Sequence, residues 1–427
     1  MTMFTAILDY EDPYVQPLIA EAFQKQIPQD ACQVIQPSAE HGETRSNNNN
    51  NNRHDGERKV VQIRAYEAIE FEEALAHPDR ILINAYIIRK ALIRKHYLSN
   101  TVHAWITKHP DSVLARHFKP SVAFEVDYAE FLDEALLEAY ELRESFERNA
   151  RLQPAEREWW ILKPSMTDRG QGIRLFSTED ELAAIFEQWD PPDSEDEDDD
   201  ADDEGSHDGI TTSQLRDFVA QPYIHPPLLL SSFGGRKFHI RTYVLAVGAL
   251  SVYVYKPMLA LFASQPYAAP WEEDDLKAHL TNTCLQHTGD RDGAVHAFWD
   301  LEDEPSCATS DPDRAWKDAV FEQICAVTAD VFLAAAKNNA VHFQPLPNAF
   351  ELFGLDFLVD SQRTVFLLEV NAFPDFKQTG DALRSLVAGL FEEVVDVAIK
   401  PFFGLEGGKP DGSERLRQVL DLDMGKR

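Results

Sequence analysis

Residues 236–262, RKFHIRTYVLAVGALSVYVYKPMLALF, constrain the fold more than any other stretch. Val, Tyr, Ile and Leu crowd into runs that favour a pleated, half-buried backbone. The longest nearly unbroken apolar piece, YVLAVGALSVYVY, falls short of a membrane span, and Gly248 supplies the bend of a hairpin. Paired strands are therefore expected. Side chains alternate across a strand, so Lys237, His239 and Arg241 share one face. Three potentially basic groups side by side repel one another unless something negative lies between them. A solvated edge strand would also tolerate them, but the apolar run TYVLAV that follows argues for a central strand.

Two further strands carry charge into apolar surroundings. FGLDFLVD places Asp356 within one, and VFLLEVNAFPDF places Glu369 and Asn371 two residues apart near the end of the other. If their shared face looks into the core, burial costs several kcal/mol unless both groups are paired. A bound cation removes the difficulty. Two carboxylates and an amide oxygen are hard donors of the kind Mg²⁺ takes when it also holds phosphate oxygens; capped strand ends are the plainer alternative. KPSMTDRGQGI sets Lys163 at a strand end before a loop with Gly170 and Gly172. Glycines let backbone N–H groups approach phosphate oxygens, and the lysine is a cation for the same anion. The lysine precedes the glycines and no GK[ST] follows, so this is not a Walker A loop; a simple Gly-containing hairpin would look similar. Taken together, the lysines, the glycine loop and the Asp/Glu/Asn set read as a nucleotide–Mg²⁺ site for phosphoryl transfer.

The net charge of −33 narrows the partners. Such a surface repels nucleic acid and anionic membrane, so neither is expected; the charge also keeps a protein soluble. Part of it lies in residues 190–209, DPPDSEDEDDDADDEGSHDG, whose like charges cannot pack, and residues 38–57 include the tract SNNNNNNRHDGE. Both are expected to be disordered. Four cysteines stand at no metal-ligand spacing, and the first residues carry no basic segment of a signal peptide. A soluble cytosolic or nuclear protein is the reading. Along the chain, FTAILDY reads as a strand, Tyr14 to Gln26 as an amphipathic helix and KVVQIRAYE as a strand. INAYIIRKALIRKHYL opens a long helical region with basic residues on one face. EWWILKPSMTDRGQGIRLFS is strand, loop, strand; DFVAQPYI is a strand; Arg314 to Asn338 is helical. Strands and helices mix throughout, as in an α/β or α+β protein.

Seven segments in this order, from YIIRKALIRKHYL through WILKPSMTDRGQGI, VAQPYIHPPLLL, GRKFHIRTYVL, HLTNTCLQ and FELFGLDFLVD to FLLEVNAFP, resemble the tubulin-tyrosine-ligase-like family of ATP-grasp enzymes. The resemblance implies a three-lobed ATP-grasp fold with ATP held between two antiparallel-rich sheets. The N-terminal α/β lobe would span 1–88, the central lobe 89–223 and the C-terminal lobe with the Mg²⁺ site 224–405, before a polar tail at 406–427. Position by position, Lys163 and Lys237 resemble the phosphate lysines. Gln221, Tyr223 and Ile224 resemble the strand whose backbone reads adenine. Thr281 and Asn282 resemble a phosphate-side pair, and Asp356, Glu369 and Asn371 the Mg²⁺ ligands. Arg241 resembles a phosphate or acceptor arginine, Lys90 matches the N-lobe basic position, and the loop with Gly170 and Gly172 would exclude water.

The implied activity is ATP- and Mg²⁺-dependent ligation of an amino acid to a protein or peptide acceptor through an acyl phosphate, in the cytoplasm. Two positions depart from the family. His239 stands where KFDIR has Asp, and Leu261 stands where YRxGxxRF has its second Arg. A neutral leucine binds neither an acyl phosphate nor an acceptor carboxylate, so Lys256 or another group compensates, or ligation is lost. The alternative is an ATP-binding scaffold in a cytoplasmic complex, since some fungal relatives are linked to mRNA-decapping bodies. A ligase for a small peptide or metabolite is a third reading. The acidic charge makes a neutral or basic acceptor the expected one, rather than acidic tubulin tails.

Overall fold

The computed structural model describes residues 3–36, 58–164, 172–189, 216–272, 275–281, 294–302, 315–407 and 415–423. The loop expected at 38–57, the acid run at 190–209, Gly170 and Asn282 lie outside the described residues.

Three sheets organise the chain. The first is parallel, with β1 (Phe4–Asp9) between β2 (Cys32–Ile35) and β3 (Lys59–Arg64), and β4 (Ile81–Ile83) beside β3. Helix Val15–Gln26 makes the crossover and buries Val15, Leu18, Ile19, Ala22 and Phe23, the spacing of one helical stripe. The second sheet is antiparallel, in the order β5 (Val122–Glu125), β8 (Asp217–Pro222), β6 (Trp160–Pro164), β7 (Arg174–Phe176).

The third sheet is built on β9 (Arg236–Val247), which pairs β10 (Ser251–Tyr255) and β11 (Leu259–Pro266) along one edge and β13 (Phe350–Val359) along the other. β12 (Val295–Ala297), β14 (Val365–Ala372) and β15 (Leu416–Asp421) complete it. The bend between β9 and β10 does fall at Gly248, whose φ of 61° is left-handed. β9 is thus a central strand, and its two faces differ. Phe238, Ile240, Val244 and Ala246 join the core under helix Ala315–Asn338, with Phe332 and Phe353 in contact at 5.4 Å. Lys237, His239 and Arg241 occupy the opposite face. That helix is long and apolar enough to cross a membrane, but most of it is buried in the core. Each buried Val, Ile or Phe there contributes roughly 1.5–3 kcal/mol, which accounts for its apolar character.

Two local readings change. The region opened by INAYIIRKALIRKHYL is not one helix. Residues 84–89 are non-helical, a short helix covers Lys90–Ile93, and a second begins at Lys95 after an extended Arg94 at ψ 122°. The break resets the 3.6-residue register, so the basic residues do not share one face. Within the polar C-terminal stretch, Leu416–Asp421 forms a strand whose backbone completes the edge of β10.

Candidate functional site

A cavity of about 210 Å³ opens between the second and third sheets. Its walls hold Lys163, Gln221, Tyr223, Ile224, Lys237, Thr281, Asp356, Glu369 and Asn371. These come from β6, β8, β9, β13, β14 and the segments after β8 and before residue 282, regions up to about two hundred residues apart in the chain. Ile161 and Ile173 from one side and Leu358 and Leu368 from the other make an apolar slot at one end. The other end is charged.

The lysines arrive from facing sheets. Lys163 is half-buried on β6, and its Nζ donates to Gln221 Oε1 at 3.0 Å; Gln221 itself is buried and donates to the Lys119 carbonyl at 3.4 Å. Lys237 on β9 is buried, donates to the Tyr223 hydroxyl at 3.0 Å and lies 4.1 Å from that ring's centre. Burial, with Lys95 nearby, brings the Lys163 ammonium down to about 8 despite Glu369 and Asp356. Burial and the like charge of Lys163 bring Lys237 down to about 7. An anion between the two lysines would favour the charged form of both. Tyr223 N–H already donates to the Trp159 carbonyl at 2.7 Å, so base recognition cannot use that donor.

The carboxylates meet on paired strands. Asp356 and Glu369 are cross-strand neighbours, and Asn371 lies opposite Gly354. Asn371 Nδ2 donates to Asp356 Oδ2 at 3.3 Å and to Glu369 Oε1 at 3.2 Å. Glu369 also faces Lys95 Nζ at 3.2 Å. Lys95 first, then Lys163 and the Asn371 amide, hold the Glu369 carboxyl well below the usual range, against the effect of burial. Asp356 takes both ends of the Arg241 guanidinium, Nε at 2.5 Å and Nη2 at 3.0 Å. Burial works against the Arg241 charge, but the Asp356 carboxylate holds its pKa above the usual value. β13 allows this guanidinium so close because Gly354 has no side chain: a Cβ there would lie 3.3 Å from Arg241 Cδ and 2.8 Å from Pro374.

Among the described residues no group of three His, Cys, Asp or Glu side chains is arranged to hold a metal unaided. Two carboxylates and an amide converge instead, and half a turn of the amide exchanges its nitrogen for its oxygen. That set fits Mg²⁺ provided phosphate oxygens or water complete the shell.

Three expected residues stand elsewhere. Lys90 is exposed at the start of its short helix, outside the cavity lining. Lys95, the final lysine of RKALIRK, enters the cavity instead, because the break at Arg94 makes it the first residue of the next helix. The signal for it was present as the second RK pair, and only the interrupted helix selects it. Arg241 lies behind Asp356 rather than on the wall, and Gly172, with a φ of 72°, lies just before the lining residue Ile173. Sequence reasoning also missed His279, whose Nδ1 lies 2.9 Å from the Tyr223 hydroxyl. Leu261 is 1% exposed on the face it shares with His239, packed in the apolar cluster with Tyr243 and Phe376.

Comparison with known proteins follows the same lines. Residues 76–405 match the Tubulin-tyrosine ligase family. A probable tubulin–tyrosine ligase of Schizosaccharomyces pombe is 48% identical over 344 residues, 79% of this chain and 82% of that protein. The probable tubulin–tyrosine ligase PBY1 of Saccharomyces cerevisiae is 45% identical over 383 residues. That alignment covers 86% of this chain but 49% of PBY1, so the chain spans about half of its length. The crystal structure of the C-terminal domain of K. lactis Pby1 aligns with a TM-score of 0.70 at 36% identity, over 98% of this chain and 99% of that domain. That domain is described as an ATP-grasp enzyme interacting with the mRNA decapping enzyme Dcp2.

Proposed function

The chain belongs to the tubulin-tyrosine ligase family and has the ATP-grasp fold, and on that premise we propose that it is an ATP- and Mg²⁺-dependent carboxylate–amine ligase acting on a protein or peptide. The observation that carries this reading is the convergence of Lys95, Lys163 and Lys237 with Asp356, Glu369 and Asn371 around one cavity beside an apolar slot. The slot suits a flat base, the lysines suit a triphosphate, and the carboxylates suit its metal.

In this reading an acceptor carboxylate attacks the γ-phosphorus, the bond to ADP breaks and an acyl phosphate forms. The amine of the second substrate then attacks the acyl carbon, phosphate leaves and the surplus proton passes to solvent. Bound Mg²⁺ supplies charge neutralisation on the phosphate oxygens. Lys163 and Lys237 regain full charge as the anion arrives, so their stabilisation grows with the charge on the transferred group. Gln221 aims Lys163, Tyr223 aims Lys237, and Arg241 fixes the Asp356 carboxylate by its two-point contact.

The acceptor is proposed to be neutral or basic. Net charge of −33 opposes the acidic tails of tubulin, and the acid run enters the chain between the cavity-lining Ile173 and the cavity-lining end of β8. A second reading, an ATP-binding interaction module without ligation, is favoured by Leu261. It places an apolar, buried side chain where a second arginine would serve the acceptor, while Arg241 is occupied by Asp356. In that case the partner would be a component of a cytoplasmic mRNA-decapping assembly, by analogy with the description of the K. lactis domain.

The test is incubation with ATP, Mg²⁺ and each amino acid in cell extract, followed by mass spectrometry for added residues, with purified tubulin run in parallel. ATP-dependent mass addition to a non-tubulin protein supports the ligase. Nucleotide binding with no addition to any protein favours the module, and robust modification of tubulin refutes the electrostatic argument.

A further inference from the structure

Among the described residues, the second sheet ends on a strand that is paired along one side alone. β5 pairs with β8 and with no other described strand, so its second edge is open. Val126 N–H donates to the Arg216 carbonyl at 2.9 Å, one step beyond the Glu125–Asp217 pair of the register. Antiparallel ladders alternate, so Val122, Phe124 and Val126 turn their N–H and C=O groups to β8. Those of Ala123 and Glu125, both exposed residues, turn outward. An open edge of this kind is a template for a further strand. A groove of about 750 Å³, separate from the nucleotide cavity, lies against it. Helix Lys95–Lys108 lends the groove His96 and Asn100, and the chain after β5 lends it Phe131, Glu134 and Glu138.

Two observations say what fits there. The first is apolar: Phe131 is 45% exposed in the groove wall, and Tyr128, 53% exposed, meets its ring edge-on at 6.2 Å. Large aromatic rings left in water beside a groove offer a partner an anchoring surface. The second is charge. Glu125, Asp127, Glu134, Glu138 and Asp217 all line the groove, and among the described residues only Asp127 of the five is in a salt bridge, with Arg216 at 2.6 Å. Carboxylates along an edge repel a second copy of that edge, nucleic acid and anionic membrane alike, and they attract a cationic chain. We propose that the β5 edge is a docking site for an extended lysine- or arginine-rich peptide segment, which adds to the second sheet as a strand and sets its basic side chains against these carboxylates. Main-chain bonds to Ala123 and Glu125 would supply affinity, and the acids would select for basic side chains. Lys95 lines the nucleotide cavity and His96, the next residue, lines the groove, so a docked segment lies beside the nucleotide site.

This inference concerns binding alone and stands whether or not the chain ligates. The probe is a fluorescein-labelled Lys-Val-Lys-Val-Lys-Val peptide, followed by anisotropy with the full chain in the absence of nucleotide. It should bind, more weakly as salt rises, and its Glu-Val counterpart should not. Glu134→Lys combined with Glu138→Lys should weaken binding by about tenfold or more. Both residues are exposed, so melting should be unchanged. Glu67→Lys combined with Glu72→Lys makes the same change of net charge outside the groove and should have little effect. Methylating every backbone nitrogen of the peptide keeps its charge, removes its main-chain donors and should also weaken binding by about tenfold. Equal weakening by the two double substitutions would mean attraction to the overall charge only, and undiminished binding of the methylated peptide would mean that no strand is added; either result overturns the proposal. So does an absence of binding, or a dimer in sedimentation velocity that the groove substitutions dissolve, which would assign the edge to a second copy.

Discussion

Glu369→Gln separates the metal from the nucleotide. Glu369 Oε2 lies 3.2 Å from Lys95 Nζ, and the two side chains are 27% and 31% exposed. A unit pair at this distance is worth roughly 5 kcal/mol gross at an effective dielectric of 20. Partial exposure and desolvation reduce the net value to about 1 kcal/mol. The unliganded variant should therefore melt no more than a few degrees lower. With nucleotide the loss is larger. A ligand at one hundred times its Kd stabilises by about 2.7 kcal/mol. If loss of the charged ligand weakens ATP–Mg²⁺ binding about 100-fold, the same concentration yields only about 0.4 kcal/mol. The increment from ATP plus Mg²⁺ should thus shrink by about 2 kcal/mol.

Without metal the sign differs. The substitution removes from beside Lys95 an anion that the triphosphate must approach, so ATP in EDTA should bind the variant no more weakly than the parent. Calorimetric melting with no ligand, with ATP and EDTA, with Mg²⁺ alone and with ATP plus Mg²⁺ measures each term. An unchanged ATP–Mg²⁺ increment would refute the ligand assignment. Equal losses with and without metal would make Glu369 a structural partner of Lys95 instead.

Three further outcomes are expected. Lys95→Met should weaken nucleotide binding by tenfold or more on the scale of one lost charge contact of about 1.4 kcal/mol or above, whereas Lys90→Met should leave it unchanged in a titration; equal effects would reinstate Lys90. Because burial holds Lys237 near 7 in the unliganded site and a bound triphosphate favours its charged form, ATP binding should take up a proton above that pH. Affinity should then fall by up to about tenfold per unit between pH 7 and 9, and calorimetry at pH 8 in buffers of different ionisation enthalpy should register the uptake; no buffer dependence would contradict it. Restoring the family's arginine by Leu261→Arg should destabilise the protein by several kcal/mol in urea unfolding, because the position is 1% exposed among apolar side chains. Unaltered stability would mean that the arginine finds a route into the cavity.

The sequence by itself determined β9, β10, β11, β13 and β14 of the third sheet, the long helix under it and which side chains share a face. The 2.0 and 3.6 periodicities are local, so RKFHIR, FGLDFLVD and LLEVNAF carry their pattern wherever the strands end up. It also supplied the residue types that line the cavity, lysines, carboxylates and an amide within apolar strands, although Arg241 and Lys95, which pair with Asp356 and Glu369, came to them only in the folded chain. Other features were decided only in three dimensions. Lys90 and Lys95 sit in near-identical local contexts, and the extended Arg94 between two helices chose between them. Leu416–Asp421 has little to mark it as a strand in a polar stretch; the open edge of β10 made it one by offering backbone hydrogen bonds that any sequence can accept. The 3.7 Å between His239 and Asp356, and the lysines held near 7 and 8, likewise follow from the packing of sheets distant in the chain. Periodicity fixes which way a side chain points. What it meets, and how much water is left around its charge, depends on the tertiary contacts that bury it.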